Sequence, residues 1–140
     1  MTDYRGKVVS SAISQLGQSN LAEYWSSALG KPQSAPIKKA WCGIFVLSRL
    51  HDAGLALHVF WEMGMGFLTT PQRKWLLPQT DKPLPGDIGY RAVPFDHHFL
   101  VESVETDRVH SIDGNSGSYS TVNRATHPSA TGAFTSASPR

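Results

Sequence analysis

From Cys42 to Leu50 the chain sets apolar residues (Ile44, Phe45, Val46, Leu47, Leu50) on almost every side of a helix, which ends at Ala53-Gly54. A helix apolar all round cannot lie on a surface; it must run through the centre of a core. The rest of the chain therefore has to supply the layers that cover it. With 140 residues there is material for one such core and not for two. The residue that opens this helix, Cys42, is the only cysteine. A helix start carries about half a positive charge, which favours thiolate over thiol. A lone cysteine in a core is most often simple packing, so its role depends on what the rest of the chain brings to it.

Upstream, Val9, Ala12, Ile13 and Leu16 recur at helical spacing and Gly17 follows as a stop, which predicts an amphipathic helix. Asn20 to Glu23 resembles a capping box with Asn in place of Ser/Thr, opening a short helix that carries Tyr24, Trp25 and Leu29 and closes at Gly30. Lys31 to Lys39, with Pro32 and Pro36, reads as a loop. Residues 55–79 read as helix fragments around Trp61, Met63, Met65, Phe67 and Trp75, broken by Gly64, Gly66 and Pro71.

The texture changes at Pro83. Leu84-Pro85-Gly86-Asp87 is a turn, with Asp87 read as a turn or strand-start residue. Short β-like runs follow at 88–91, 97–104, 108–112 and 119–123, and Glu105-Thr106-Asp107 makes a hairpin connection. From Ala125 the chain is Ser, Thr, Ala, Pro and Gly with little to bury, so 125–140 is expected to be a loose tail. The pattern is α+β: one domain over 1–124, with a helical half (about 1–80) packed on a C-terminal antiparallel sheet (about 84–124).

Attack by a thiol on an amide needs a thiolate, a proton carrier and donors for the oxyanion. Cys42 supplies the first, and its own backbone N–H can be one of the donors. His97 and His98 are the proton-carrier candidates; as strand neighbours they point to opposite faces, and periodicity does not choose between them. A hairpin around Asp107 brings Asp113 and Asn115 within reach of residue 97, where a polar side chain can orient the imidazole. Gly114 between them allows a bend or a close backbone approach. Alone, Asp113-Gly114-Asn115-Ser116-Gly117 would read equally well as a turn. Cysteine, then histidine, then Asp/Asn is the chain order of papain-like thiol enzymes. His51, His58, His110 and His127 lack partner spacing and are read as surface or packing residues. No H-x-x-x-H or C-x-x-C spacing suggests zinc, so neither metal nor cofactor is expected. The tryptophans are core residues on this reading, although Trp41 beside the thiol is a candidate edge of a substrate cleft.

The formal net charge of +2, without a basic run, does not point to nucleic acid. A single cysteine excludes an intramolecular disulfide. No apolar run approaches a membrane span, and no signal peptide is read at the polar start.

Four segments in order resemble the CHAP amidase/peptidase family, related to NlpC/P60 among papain-like cysteine hydrolases. They are Trp41-Cys42-Gly43-Ile44-Phe45-Val46 through Ala53-Gly54, Pro85-Gly86-Asp87-Ile88, His97 to Val104, and Ser111-Ile112-Asp113-Gly114-Asn115. The resemblance spans about residues 8–124. It implies a papain-like (NlpC/P60-type) fold, Cys42 as nucleophile, His97 as general base, and Asp113 and Asn115 as its orienters, with His98 kept as alternative base or cleft residue. Two departures stand out: Phe99 replaces a glycine, and Gly89-Tyr90-Arg91 replaces a more aromatic run.

The implied activity is cleavage of a peptidoglycan amide, either the N-acetylmuramoyl-L-alanine bond or a peptide bond of the stem or cross-bridge. The expected protein is a monomeric phage lysin released by a holin, or an antibacterial effector injected by a secretion system and paired with a cognate inhibitor (immunity) protein. It would be made in the cytoplasm and act on the cell wall. The rivals are a cysteine protease or deamidase toxin acting on protein substrates, and a non-catalytic wall-binding module.

Overall fold

The apolar segment is a helix, and it is central. In the computed structural model, which describes residues 4–29, 41–55, 78–91, 97–116, 121–129 and 135–138, α3 spans Cys42–Asp52 and every residue from Cys42 to Leu50 is buried. It is preceded by α1 (Tyr4–Ile13) and α2 (Leu21–Leu29). The first helix ends earlier than its apolar spacing suggests: residues 14–17 are a turn, and Gly17 takes a positive φ of 80° and donates its N–H to Val122 O at 2.8 Å. The helix thus gives way to a tether onto the sheet. In α2 the Tyr24 N–H bonds to Asn20 O as expected at a helix start, but Glu23 turns to Arg49 at 2.9 Å instead of closing a capping box. Arg49, buried, also donates to Ser11 Oγ at 3.0 Å and lies over the Tyr24 and Phe45 rings at 5.3 and 5.9 Å. Its charge is therefore satisfied on every side that it shows to the core.

Six strands follow: β1 (Gln79–Thr80), β2 (Ile88–Arg91), β3 (His97–Val104), β4 (Arg108–Ser116), β5 (Thr121–Pro128) and β6 (Thr135–Ala137). They form one sheet in the order β1-β6-β2-β3-β4-β5, each neighbouring pair antiparallel. The architecture is α+β. The tail expected to be loose from Ala125 instead extends β5 to Pro128 and supplies β6, which inserts between β1 and β2. Its small polar residues bury little, but backbone pairing needs no large side chains, and Ser136 and Ser138 are buried. The helix fragments read at 55–79 fall almost wholly outside the described residues.

Alternation along the strands divides the sheet into two faces. Ile88, Leu100, Ile112 and Val122 pack with α3 and the other helices in the main core, and Tyr90 rests against it. Phe99, Val101 and Val109 form a smaller cluster on the opposite face. Fully burying side chains of this size is worth about 1.5–3 kcal/mol each, so the α3 side dominates the stability of the sheet. The Leu84–Asp87 turn reads as the sequence indicated: Asp87 Oδ2 accepts the Leu84 N–H at 2.8 Å, and Gly86 has φ 89°. Arg5 of α1 grips this turn through Asp87 Oδ1 at 2.6 Å and Pro85 O at 3.0 Å, and its other Nη donates to Ser138 Oγ at 2.6 Å.

Candidate active site

The β3–β4 pairing begins at Leu100↔Ile112 and runs toward the hairpin. Among the described residues the first three of β3, His97 to Phe99, are paired with β2 alone. The N-terminus of α3 fits against this splayed end. Cys42 is the first residue of α3, and its Sγ accepts the His98 backbone N–H at 3.4 Å. On the β4 side, Gly114 abuts the same helix so closely that a Cβ there would lie 2.6 Å from Phe45 Cβ and 3.0 Å from the Trp41 ring. Only glycine permits that approach.

A thiol seated against the β3 backbone lies between two side chains that leave the strand in opposite directions. His98 shares the α3 face with Leu100, and its ring is 4.9 Å from that of Tyr90. His97 shares the opposite face with Phe99. Both imidazoles hydrogen-bond to Cys42. What distinguishes them is the next partner: His97 Nε2 meets Asp113 Oδ2 at 2.6 Å. With Nε2 committed to the carboxylate, Nδ1 is the ring nitrogen that faces the thiol. The result is a buried chain of groups, Cys42–His97–Asp113.

Burial opposes charge on the thiol, but the hydrogen bonds from His97 and His98 outweigh it and lower Cys42 from its ordinary value to about 6. Burial likewise opposes charge on His97, and the bonds to Asp113 and Cys42 raise it to about 9. The order of the two values is inverted relative to free side chains. Near neutrality the proton therefore sits on the imidazole and the sulfur is a thiolate. Burial pushes Asp113 up, while His127, His97 and Ser111 together hold it below the usual carboxylate range. The helix start adds to this. Trp41 occupies the N-cap without a side-chain cap bond, so no capping side chain occupies the first-turn donors of α3.

Of the residues singled out in the sequence, Cys42, His97, His98 and Asp113 come together. Asn115 lies in β4, but its side chain falls outside the described residues. Trp41 is placed in the helical core, 3% exposed, stacked on Tyr24 at 5.7 Å and edge-on to Phe45. His51 bonds to Ser27 O at 2.8 Å and His110 lies 3.3 Å from Glu105, in keeping with structural roles. His58, Trp61 and Trp75 fall outside the described residues.

Two site residues were not read from the sequence. Ser111 Oγ donates to Asp113 Oδ1, and His127 Nε2 reaches Asp113 Oδ2 at 3.1 Å. The sequence pattern ends the last strand at 123, and without partner spacing it leaves His127 as a packing or surface residue. The strand continues, and its pairing puts Asn123, Ala125 and His127 opposite Asp113, Ser111 and Val109, on one face. No spacing signal marks it before that pairing is known.

His97, Asp113 and His127 each bring one potential ligand atom within 4.8 Å of the others. Ligands on a tetrahedral zinc, with bonds of about 2.0–2.1 Å, lie roughly 3.3 Å apart. The observed 2.6 and 3.1 Å are hydrogen-bond separations, so a metal would have to spread the cluster before entering it.

Gly89 and Phe99, the two positions that depart from the CHAP-like motifs, are halves of one contact. Gly89 and Phe99 are cross-strand partners, and a Cβ on Gly89 would lie 2.1 Å from the Phe99 ring. Phe99 occupies the space a side chain at 89 would need. Comparison with known proteins gives no match to a family model, to a curated protein or to a solved structure. No helix among the described residues is long and apolar enough to cross a membrane.

Proposed function

We propose that the protein is a cysteine amidohydrolase of papain-like type whose substrate is an amide of bacterial peptidoglycan. The observation that carries the chemistry is the buried chain Cys42–His97–Asp113 at the start of α3, with the thiol lowered to about 6 and the imidazole raised to about 9. The wall substrate rests on the CHAP-like order of the four segments, and the mildly basic balance of the chain suits an anionic polymer.

Catalysis would begin with the Cys42 thiolate adding to the amide carbonyl carbon, forming a C–S bond and an oxyanion. The Cys42 backbone N–H, at the positive end of α3, would donate to that oxygen. The His97 imidazolium gives its proton to the leaving nitrogen, the C–N bond breaks, and a thioester remains. His97, now neutral, takes a proton from water; the hydroxide adds to the thioester, and the carboxylic acid leaves as the thiolate is restored. Asp113 keeps the imidazole in the tautomer that presents Nδ1 to sulfur throughout.

Incubation with purified sacculi, with mass spectrometry of the released fragments, tests activity and bond together. Wild type should release muropeptides, and Cys42→Ala should release none. Turnover by Cys42→Ala at the wild-type rate would overturn the mechanism. Intact sacculi alongside Cys42-dependent cleavage or deamidation of protein substrates would reassign the substrate class.

A further inference from the structure

The thiol chemistry uses Cys42, His97 and Asp113, and leaves unexplained why a second histidine is buried on the same carboxylate oxygen. His127 is 3% exposed. Its Nε2 lies 3.1 Å from Asp113 Oδ2, the oxygen that also binds His97 Nε2 at 2.6 Å. An ionised carboxylate oxygen only accepts, so both ring nitrogens facing it carry protons and both donate. The other carboxylate oxygen is engaged by Ser111 Oγ. The His127 ring is also held in place: it lies flat on Phe99, with centroids 3.8 Å apart and an interplanar angle of 7°. Phe99 in turn fills the space left by Gly89. A run of contacts from Gly89 through Phe99 and His127 to Asp113 thus ends at the acceptor of the proposed base.

We infer that His127 is a positioning residue: by donating to the oxygen that His97 uses, it fixes the rotation of the Asp113 carboxylate and limits how strongly that carboxylate can hold a proton on His97. The inference rests on the thiol-hydrolase reading for its consequence in turnover, but not for its consequence in proton affinity. A donor shared between two acceptors weakens each bond; the same holds for one acceptor oxygen shared by two donors. With His127 present, Asp113 orients the imidazole without holding its proton too tightly for transfer to a leaving nitrogen. The charged and titratable groups around His97 are Cys42 from α3, His98 beside it on β3, Arg91 opposite it on β2, Asp113 on β4, and His127 behind Asp113 on β5.

Three forms of the full chain separate this from a packing role: wild type, His127→Phe, which keeps the stack on Phe99 but has no donor, and His127→Gln, which restores an N–H. The readouts are ring-nitrogen NMR titration of His97, thiolate ultraviolet absorbance of Cys42, kcat and KM on wall fragments, and thermal unfolding. In His127→Phe the His97 midpoint should rise by about half to one pH unit, the scale of one shared charge-assisted hydrogen bond. Its kcat should fall about tenfold while KM stays within about twofold, since ground-state binding does not use the carboxylate. His127→Gln should recover both toward wild type.

A His97 midpoint unmoved in His127→Phe, with any loss of turnover tracking the loss of thermal stability, would overturn the inference. If His127→Phe does not fold, wild type decides the matter: the ring-nitrogen shifts must show His127 protonated at Nε2, and the Nδ1–H tautomer would overturn it. A moved His97 midpoint in a protein that releases nothing from sacculi would sink the wall-hydrolase reading and leave the role of His127 standing.

Discussion

A carboxylate buried as deeply as Asp113 stays ionised only if donors replace the water it has lost. Three do so: the ring N–H groups of His97 and His127 and the hydroxyl of Ser111. Asp113→Asn keeps the shape but puts an amide where two imidazoles need an acceptor, and it no longer selects the His97 tautomer that presents Nδ1 to the thiol. The expected result is a fall in kcat of a hundredfold or more, by analogy with loss of the orienting carboxylate in a triad, on the order of 10⁴. Thiolate absorbance checks the cause: with His97 no longer held as a cation, the Cys42 titration should move up from about 6. At this scale much was legible. The order Cys42, His97, Asp113 marked three groups that the fold brings together. Their spacing could not say which histidine would bond the carboxylate, because both rings reach a thiol that is seated on the backbone between them. His127 was hidden for another reason: a lone histidine in a small-residue stretch carries no partner signal until the strand pairing is known.

Among elements, the close approaches are made where side chains are missing. Gly114 lets β4 lie against α3, and Gly89 lets β2 accept the Phe99 ring of β3. Gly89→Ala should displace Phe99, at a cost of about 1–3 kcal/mol for overpacking, and should loosen the His127 stack with it. Shrinking the ring as well, in Gly89→Ala with Phe99→Leu, should return part of the lost stability, so the two changes would be non-additive in a double-mutant cycle read by denaturant unfolding. Additive losses would show that the two positions do not share this space. Elements with a strong local signature were legible: α3 from its continuous apolar surface, β2 and β3 from short alternating runs after a turn. The short strands β1 and β6 were not, because what makes them strands is their pairing with each other and with β2, far away in sequence.

For the molecule as a whole, the inverted pair has an unusual linkage to pH. Cys42, an acid whose value is depressed on folding, contributes stability that is present above its unfolded value and lost as pH falls toward about 6. His97, raised on folding, contributes stability that is present below its unfolded value of about 6.5 and lost as pH rises through about 9. Between roughly 6.5 and the unfolded thiol value, the unfolded chain carries one proton on sulfur, and the folded chain carries one on the imidazole. Folding moves a proton without taking one up, so the contribution of the pair is nearly flat across that window. Cys42→Ala removes one side of the balance. The Asp113 bond still favours the His97 cation against burial, so the folded variant is expected to bind an extra proton. Its stability should fall with rising pH, by up to about 1 kcal/mol per unit above pH 6.5, until the residual His97 value is passed. Denaturant melts of both proteins at several pH values would show this, and parallel pH curves would mean that the thiol and imidazole are not paired.

The position of β6 bears on how the molecule comes into being. It is the last described strand in the chain, yet it lies inside the sheet, between β1 and β2, where Ser138 meets the guanidinium of Arg5. The thiol, imidazole and carboxylate come from α3, β3 and β4, all earlier in the chain than β6. The outer edge of β2 stays an open row of donors and acceptors until Thr135–Ala137 arrive. Closure of the sheet therefore draws on residues that follow those of the candidate site in the chain. A chain in which Thr135–Ala137 have not paired offers neighbouring chains a strand edge to which they can add.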